Sequence, residues 1–380
     1  MPRRRGWQIA LLPCAVLLLP LVLLVTCGPA VESEILATAA APPPIADASG
    51  AARFSGAEFI TGDGARLPLR RWLPAGRVKA VIVALHGFND YSKAFEQPAM
   101  NLAARGIATY AYDQRGFGGA PDRGSWAGEG RLAVDAVTAT RILRRMYPGR
   151  PIYLLGESMG GAIAILAATG AMRGVTTGPE GAPKAEIDGV ILSAPAVWSR
   201  PTMDLWPKVA LFIGARLLPK TVLTGRGLSV VASDNIPMLR ALGRDPMVLK
   251  GARIDTIFGL VDAMDDALDA APRATMPLLL LYGARDQLVP PAAMAAFVER
   301  LPAEPSARAT LAYYPNGYHM LLRDLDGPLV AADVASWIAD RRKRLPSRAD
   351  AADATRPWPP QLAPSAARPG KPLAEAGVRR

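Results

Sequence analysis

A chain of 380 residues, half of them hydrophobic, can bury a large core and suits one large α/β domain with an insertion or two ordinary domains. Its formal charge of +11 lies at the ends: Arg3, Arg4 and Arg5 contribute +3, residues 341–380 contribute +7, and residues 6–340 carry only +1. Because a nucleic-acid surface needs a basic face on the folded domain, we expect no nucleic-acid partner.

The N-terminus has the pattern of a targeting segment. Three arginines precede an apolar run at 9–25, which is long for the core of a signal peptide and short for a membrane span. Residues 24–27 resemble the lipobox of bacterial lipoproteins, in which the cysteine, here Cys27, is lipidated. Thr26 departs from the small residue that usually precedes that cysteine.

Two other outcomes of this segment stay open: cleavage after Ala40 or Ala41 as an ordinary signal peptide, and retention as an uncleaved anchor. We expect residues 1–27 to direct export, with membrane association, to a bacterial periplasm or cell envelope. Residues 28–52, rich in Ala and Pro, are expected to form a tether.

The cysteines lie at the N-terminus alone. Cys14 falls inside the apolar run and Cys27 at its end, so a mature domain contains neither a disulfide framework nor a thiolate metal site. Because His86 and His319 are the only histidines, a histidine-rich metal site is not expected either, and we expect no cofactor.

From residue 53 the pattern predicts strands that alternate with helices. Near-continuous apolar runs, such as 79–85, are typical of strands buried on both faces of a parallel sheet. The predicted strands are 57–60, 67–72, 79–85, 107–112, 152–155, 190–193, 277–282 and 310–314, and the predicted helices are 91–105, 128–147, 161–168 and 329–342. This alternation predicts a doubly wound, mostly parallel sheet, with its core formed by 53–195 and 272–343.

Residues 196–271 interrupt this alternation after the sixth predicted strand. Their short helical patterns predict a helical cap over the active site, whose apolar residues form either a small core of their own or an acyl-binding slot. Residues 344–380, rich in Pro, Ala and Arg and without periodicity, are predicted to be a disordered tail.

The stretch 151–161 has the pattern of a nucleophile elbow. Four apolar residues precede Gly156-Glu-Ser158-Met-Gly160, and an apolar helical run follows. A strand, a sharp turn with small neighbours and a helix lift a serine hydroxyl clear of the sheet. The plain alternative is a serine that caps a buried helix.

A serine nucleophile needs a base, and the base needs a group that orients it. His319 follows the last predicted strand, and Asp286 follows the strand before it. The chain order Ser158, Asp286, His319 and the location of all three after strand ends fit the active site of an α/β-hydrolase. His86 as base stays an alternative. An acid from the cap (Asp262, Asp265 or Asp266) is the alternative to Asp286.

Five motifs, in order, resemble the monoacylglycerol lipase and lysophospholipase branch of the α/β-hydrolase fold, which is also described as serine aminopeptidase-like. The resemblance covers about 57–342 and rests on His86-Gly, Asp113-Gln-Arg-Gly-Phe-Gly, Gly156-Glu-Ser-Met-Gly-Gly, Gly283-Ala-Arg-Asp-Gln-Leu-Val-Pro and Gly317-Tyr-His. A second glycine and a histidine that are often found after the first motif are absent from Phe88-Asn-Asp90.

This resemblance implies roles for individual residues. Ser158 is the expected nucleophile, His319 the general base and then acid, and Asp286 the residue that orients it. The backbone N–H groups of Phe88 and Met159 are the expected oxyanion hole. His86 is then structural.

Three charged residues near these motifs are expected to have bracing roles. Asp113 and Arg115 are expected to brace their loop through a buried ion pair, and Glu157 to brace the elbow.

We therefore expect a membrane-associated serine esterase whose substrate is a small or single-chain lipid ester. The alternatives are an aminopeptidase, thioesterase or acyltransferase with the same triad, and a non-catalytic lipid-binding module. An aminopeptidase needs carboxylates that hold an amino terminus. Asp262, Asp265, Asp266 and Asp269 share one predicted helix face, which we interpret as solvated. The sequence leaves the oligomeric state open.

Overall fold

The protein is described by a computed structural model, which covers residues 52–175, 182–225, 230–303, 309–354 and 358–360. The segment expected to direct export, 1–27, and all but the last residue of the expected tether, 28–52, lie outside these residues. Within the described part of the chain, no helix is both long enough and apolar enough to span a bilayer.

A nine-stranded sheet forms the centre of the fold, in the order β1-β2-β3-β5-β4-β6-β7-β10-β11. The six neighbouring strands β5, β4, β6, β7, β10 and β11 run parallel. At one edge, β1, β2 and β3 are antiparallel to their neighbours. The strands of this sheet are β1 (Arg53–Ser55), β2 (Glu58–Ile60), β3 (Arg66–Trp72), β4 (Ala80–Leu85), β5 (Ile107–Tyr112), β6 (Ile152–Glu157), β7 (Gly189–Ser193), β10 (Leu278–Gly283) and β11 (Thr310–Tyr314).

Helices cover both faces of the sheet, which explains why every residue of β4, β5, β6 and β10 is buried. One apolar core lies under α2, α3, α6 and α7, and a second lies under α1 and α8. The helices of the two faces are α1 (Glu96–Ala103), α2 (Glu129–Met146), α3 (Met159–Thr169), α6 (Ile254–Ala270), α7 (Pro291–Arg300) and α8 (Gly327–Ala339). The predicted doubly wound α/β-hydrolase fold is confirmed.

An insertion separates β7 from β10. It contains α4 (Leu205–Leu217), α5 (Ile236–Arg244) and a small antiparallel sheet of β8 (Val222–Thr224) and β9 (Gly251–Arg253), and α6 follows directly. The insertion follows the seventh strand rather than the sixth, because β1 adds a three-residue strand that is too short to show in the sequence pattern. The cap limits of 196–271 stay a prediction. Inside them, α6 packs on α3 and buries Ala263 and Ala267 in the core.

The start of the tail differs from the disordered segment that the sequence predicts. Leu345 and Ala349 are buried in the core under α1 and α8, and a 3-10 helix at Ala349–Ala354 packs along β11. Trp358 is buried in the other core, with its ring 6.0 Å from Tyr282 and 6.3 Å from Tyr313. A few apolar residues in a proline-rich segment are enough to order it when they are buried in the cores. Hydrophobic periodicity does not reveal such residues, because it detects only regular helices and strands. Residues 361–380 lie outside the described part of the chain.

Candidate active site

Ser158 lies at a strained turn between β6 and α3. Its backbone has φ 53° and ψ −118°, a conformation that costs a residue with a Cβ about 1–3 kcal/mol. The turn is held from β7 and the segment after it, since the Ser158 N–H donates to Ser193 O at 3.0 Å and the Ala196 N–H donates to Ser158 O at 2.9 Å. The Ser158 side chain makes no helix-capping hydrogen bond, which contradicts the alternative of a capping serine.

Two glycines allow this turn to approach the sheet. A Cβ on Gly160 would lie 2.0 Å from Leu85 O, and a Cβ on Gly156 would lie 2.2 Å from Gly160 O. Both distances are far below van der Waals contact. The G-x-S-x-G spacing is therefore a packing requirement, because it brings the first turn of α3 against the end of β4.

His319 and Asp286 are brought together by the loops after β11 and β10. The Nδ1 of His319 lies 2.9 Å from Oδ2 of Asp286, and the side chains are 6% and 0% exposed. The other carboxylate oxygen, Oδ1, accepts the N–H groups of Leu288 at 2.8 Å and Val289 at 3.0 Å. Because an ionised carboxylate only accepts, Nδ1 carries the hydrogen and Nε2 keeps a free lone pair for a proton.

His86 has a different environment. Its Nε2 accepts the Gln114 N–H at 2.9 Å, its Nδ1 donates to Gly87 O at 2.9 Å, and the residue is fully buried. Burial lowers the pKa of His86. With both ring nitrogens engaged, His86 joins the loops after β4 and β5 and is not available as a base.

The residues expected to form the oxyanion hole flank the serine in the fold. Met159 is the first residue of α3, so its N–H has no partner within the helix ladder. Phe88 follows Gly87, where a Cβ would lie 3.4 Å from the Cβ of Ser158. A turn closed by the Asp90 N–H on Gly87 O, with Asn89 at φ 65°, fixes the Phe88 backbone. The oxyanion role of the two N–H groups stays a prediction.

The prediction that Asp113 and Arg115 form an ion pair within the loop after β5 is wrong. Arg115 pairs with Asp135 and Asp63, each at 2.7 Å. Asp113 instead accepts from Ser92 N at 3.0 Å and Gly119 N at 2.8 Å. Both residues brace the loop, but through groups from α2, the β2–β3 turn and the segment after β4, which the local sequence does not identify.

Glu157 braces the elbow, as expected, through a partner that sequence reasoning missed. Its carboxylate pairs with Arg323, whose other terminal nitrogen lies 2.7 Å from Oδ2 of Asp90. All three side chains are buried. The available signal was the location of Arg323: it ends an otherwise apolar 3-10 helix, Leu321–Arg323, four residues after His319.

The acidic face of α6 is not the solvated face that the sequence predicts. Asp262 and Asp265 both pair with Arg200, and Asp266 pairs with Arg173. Burial raises the pKa of Asp266 to about 6. Only Asp269, at 73% exposed, fits the prediction. The carboxylate partner of His319 is Asp286 and not one of these four residues.

The insertion docks onto the loops that carry the acid and the base. The Val231 N–H donates to the side-chain oxygen of Gln287 at 2.8 Å, next to Asp286. The Met320 N–H donates to Ala232 O at 2.9 Å, next to His319. Residues 231–232 therefore fix one edge of the insertion against both loops.

Comparison with known proteins gives consistent matches. The family described as serine aminopeptidase, S33, matches residues 76–326. The monoglyceride lipase of Mus musculus is 31% identical over 292 residues, covering 74% of this chain and 90% of that protein. The monoacylglycerol lipase of Mycolicibacterium smegmatis is 28% identical over 286 residues, covering 74% of this chain and 95% of that protein. A soluble variant of monoglyceride lipase from Saccharomyces cerevisiae, solved with a substrate analog, has a TM-score of 0.59 at 22% identity, covering 74% of this chain and 93% of that one.

Proposed function

The chain belongs to the serine aminopeptidase, S33, family of α/β-hydrolases and is a carboxylic ester hydrolase, and from this premise we propose that it cleaves single-chain lipid esters through a catalytic triad. Ser158, His319 and Asp286 form that triad. The substrates are esters of the monoacylglycerol or lysophospholipid kind, and the reaction passes through an acyl-enzyme.

The observation that carries this proposal is the buried contact between His319 and Asp286, at the same edge of the sheet as the strained Ser158. Asp286 holds the imidazole with its Nε2 lone pair free, as a general base requires. A serine held at positive φ directly after a strand is the arrangement that exposes a nucleophilic hydroxyl.

In the first half of the reaction, the Ser158 hydroxyl attacks the ester carbonyl while Nε2 of His319 takes its proton. The negative charge that develops on the carbonyl oxygen accepts hydrogen bonds from the N–H groups of Phe88 and Met159. Asp286 stabilises the imidazolium, which then protonates the departing alcohol.

In the second half, a water molecule takes the place of the alcohol. His319 removes its proton as the water attacks the acyl-enzyme, and the fatty acid leaves as Ser158 is reprotonated. No metal or cofactor is needed for either half.

The insertion supports a lipid substrate. Helix α4 has no buried residue, although most of its side chains are apolar; Trp206 is 72% exposed and Leu217 is 73% exposed. Exposed apolar patches of this kind mark lipid or protein interaction sites. A lipid aggregate that supplies single-chain esters fits both this surface and the names of the relatives.

A serine-directed fluorophosphonate probe tests the nucleophile. We expect the full-length protein to be labelled at one site and to hydrolyse p-nitrophenyl butyrate with a burst. The variant Ser158→Ala should lose labelling and lower kcat on the order of 10⁴-fold or more. Ser336→Ala, on α8, is the matched control and should retain both. Labelling that persists in Ser158→Ala would contradict the assignment.

The substrate class is tested with esters of increasing chain length, monoacylglycerols and lysophospholipids, in parallel with acyl thioesters and aminoacyl p-nitroanilides. We expect kcat/KM to be highest for a single-chain ester. Preferred cleavage of an aminoacyl anilide would favour an aminopeptidase. The pairing of Asp262 and Asp265 with Arg200 speaks against that activity, since both carboxylates already share a cationic partner within the protein.

We also propose that residues 1–27 direct export and associate the protein with the membrane of a bacterial envelope, through Cys27 or as an anchor. The basic start, the apolar run and the resemblance to a lipobox support this. The intact mass of the mature protein distinguishes lipidation at Cys27, cleavage near Ala40 and retention of the segment.

A further inference from the structure

Arg323 contacts two of the loops that carry the proposed catalytic groups and belongs to the third. Its two terminal nitrogens reach in different directions, one to Oδ2 of Asp90 at 2.7 Å and the other to the carboxylate of Glu157. The arginine side chain is 7% exposed, and the two carboxylate side chains are 7% and 3% exposed. The cluster is thus enclosed by protein.

Each partner is adjacent to a different part of the proposed site. Asp90 lies two residues after Phe88, in the turn that fixes the Phe88 N–H. Glu157 is the last residue of β6 and immediately precedes Ser158. Arg323 lies four residues after His319 and ends the short 3-10 helix that follows it.

The chemistry of the cluster makes it rigid. A planar guanidinium donates along fixed directions, so it sets the distance and angle between two carboxylates as a flexible ammonium does not. Burial opposes the charge on Arg323, yet Glu157 and Asp90 raise its pKa above the usual range, so it stays charged at all working pH values. A buried charge that loses its partner is strongly unfavourable, which holds all three groups in place.

We propose that Arg323 is a positioning residue for the ester hydrolysis, and that it holds the oxyanion turn, the elbow and the histidine loop in one fixed arrangement. The inference rests on the proposed function, because it concerns the relative placement of the Phe88 N–H, Ser158 and His319. Arg323 itself does not touch the substrate or the reacting atoms. Displacements of about 1 Å at such groups lower rates on the order of 100-fold.

The test measures kcat per active site in the full-length protein. Active sites are counted from the burst of p-nitrophenol and from fluorophosphonate labelling, so that loss of folded protein is separated from loss of catalysis. For Arg323→Met we expect kcat per active site to fall about 100-fold, with KM changed less than about threefold. A purely structural role would lower the number of active sites and the Tm and leave kcat per site unchanged.

A second variant removes the charges together, in case Arg323→Met does not fold with two unpaired carboxylates. Asp90→Asn, Glu157→Gln and Arg323→Met in one chain leave no buried charge in the cluster, and we expect this triple variant to fold and to show the same loss of kcat per site.

The matched control uses Arg115, another buried arginine that pairs with two carboxylates. Arg115→Met, alone or with Asp63→Asn and Asp135→Asn, should lower the Tm and keep kcat per site within about threefold, because its partners lie in the β2–β3 turn and in α2.

The outcomes separate the two proposals. Wild-type kcat per site in folded Arg323→Met, or in the triple variant, would overturn the inference and leave the proposed function standing. A wild-type protein that shows neither labelling nor a burst would overturn both.

Discussion

His86 and His319 show how hydrogen bonds decide the use of one residue type. Both rings are buried near the carboxyl ends of strands. His86 has an N–H donor on Nε2, so its lone pair is already used. His319 has a carboxylate on Nδ1, which fixes the tautomer that leaves Nε2 basic. The difference lies in two loops that are remote in sequence from each ring.

This reasoning predicts the effect of Asp286→Asn. The amide oxygen can keep the N–H groups of Leu288 and Val289, which turns the amide NH₂ toward His319. Nδ1 must then accept, so the proton moves to Nε2 and the base is lost. We expect kcat to fall on the order of 10³–10⁴-fold with an unchanged Tm, measured by ester turnover and thermal unfolding.

The control for that prediction is Asp262→Asn in α6. Asp262 pairs with Arg200 at 2.7 Å, and its replacement should keep kcat within about threefold. A larger loss in Asp262→Asn than in Asp286→Asn would support the alternative in which the cap supplies the acid.

At the scale of elements, α3 and α4 are both apolar helices with opposite surroundings. Every residue of α3 is buried, because α2 and α6 and the sheet enclose it. Helix α4 belongs to the insertion, contacts α6 and has no buried residue. Apolar side chains that stay exposed on a helix are unfavourable in water and favourable at a lipid surface.

We therefore expect polar substitutions in α4 to act on aggregated substrate alone. Trp206→Ser with Leu217→Ser should weaken binding to lipid vesicles at least tenfold and lower turnover of a monoacylglycerol presented in them, since each side chain is worth about 1.5–3 kcal/mol on burial. Sedimentation with vesicles and assays in parallel on a soluble butyrate ester measure the two effects.

Leu73→Ser is the control, because Leu73 is 51% exposed on the core domain, after β3. It should change neither vesicle binding nor turnover. An equal loss on the soluble ester in the α4 variant would argue that α4 acts through the active site rather than through the lipid surface.

Local sequence patterns predicted the helices and strands. They did not predict the contacts between residues that are far apart in the chain. The apolar run of β4 and the glycines around Ser158 are visible in the sequence, because each requirement is met by neighbours in the chain. The partners of Arg115 lie 52 and 20 residues away, and those of Arg323 lie 233 and 166 residues away. The charge of a residue does not identify its ion-pair partner at those separations. The sequence therefore indicates which residues could form ion pairs but not which of them do.

At the scale of the whole molecule, residues that follow α8 contribute to both apolar cores. Leu345 lies in the core under α1 and α8, and Trp358 lies in the core under α2, α3, α6 and α7. Between them, the 3-10 helix at Ala349–Ala354 packs along β11, the last strand of the sheet. The segment stabilises the domain although it contributes no strand.

Trp358→Ala tests this contribution. Trp358 is 2% exposed and its ring packs on Tyr282 and Tyr313, so we expect the free energy of unfolding to fall by about 3 kcal/mol. Denaturant unfolding measures the change. Trp206→Ala, at a residue that is 72% exposed, is the matched control and should change the free energy of unfolding by no more than about 0.5 kcal/mol. Equal stability of the two variants would show that Trp358 contributes little to the domain.

The covering of β11 also bears on how the protein behaves at high concentration. An uncovered edge strand offers unpaired N–H and C=O groups to the same strand of another molecule, and sheets then join end to end. At the opposite edge, β1 is only three residues long and offers little to pair with. At the β11 edge, the 3-10 helix at Ala349–Ala354 occupies the approach. We therefore expect the residues after α8 to protect β11 from pairing with other molecules. A protein shortened to residue 343 would expose its last strand to other copies of itself.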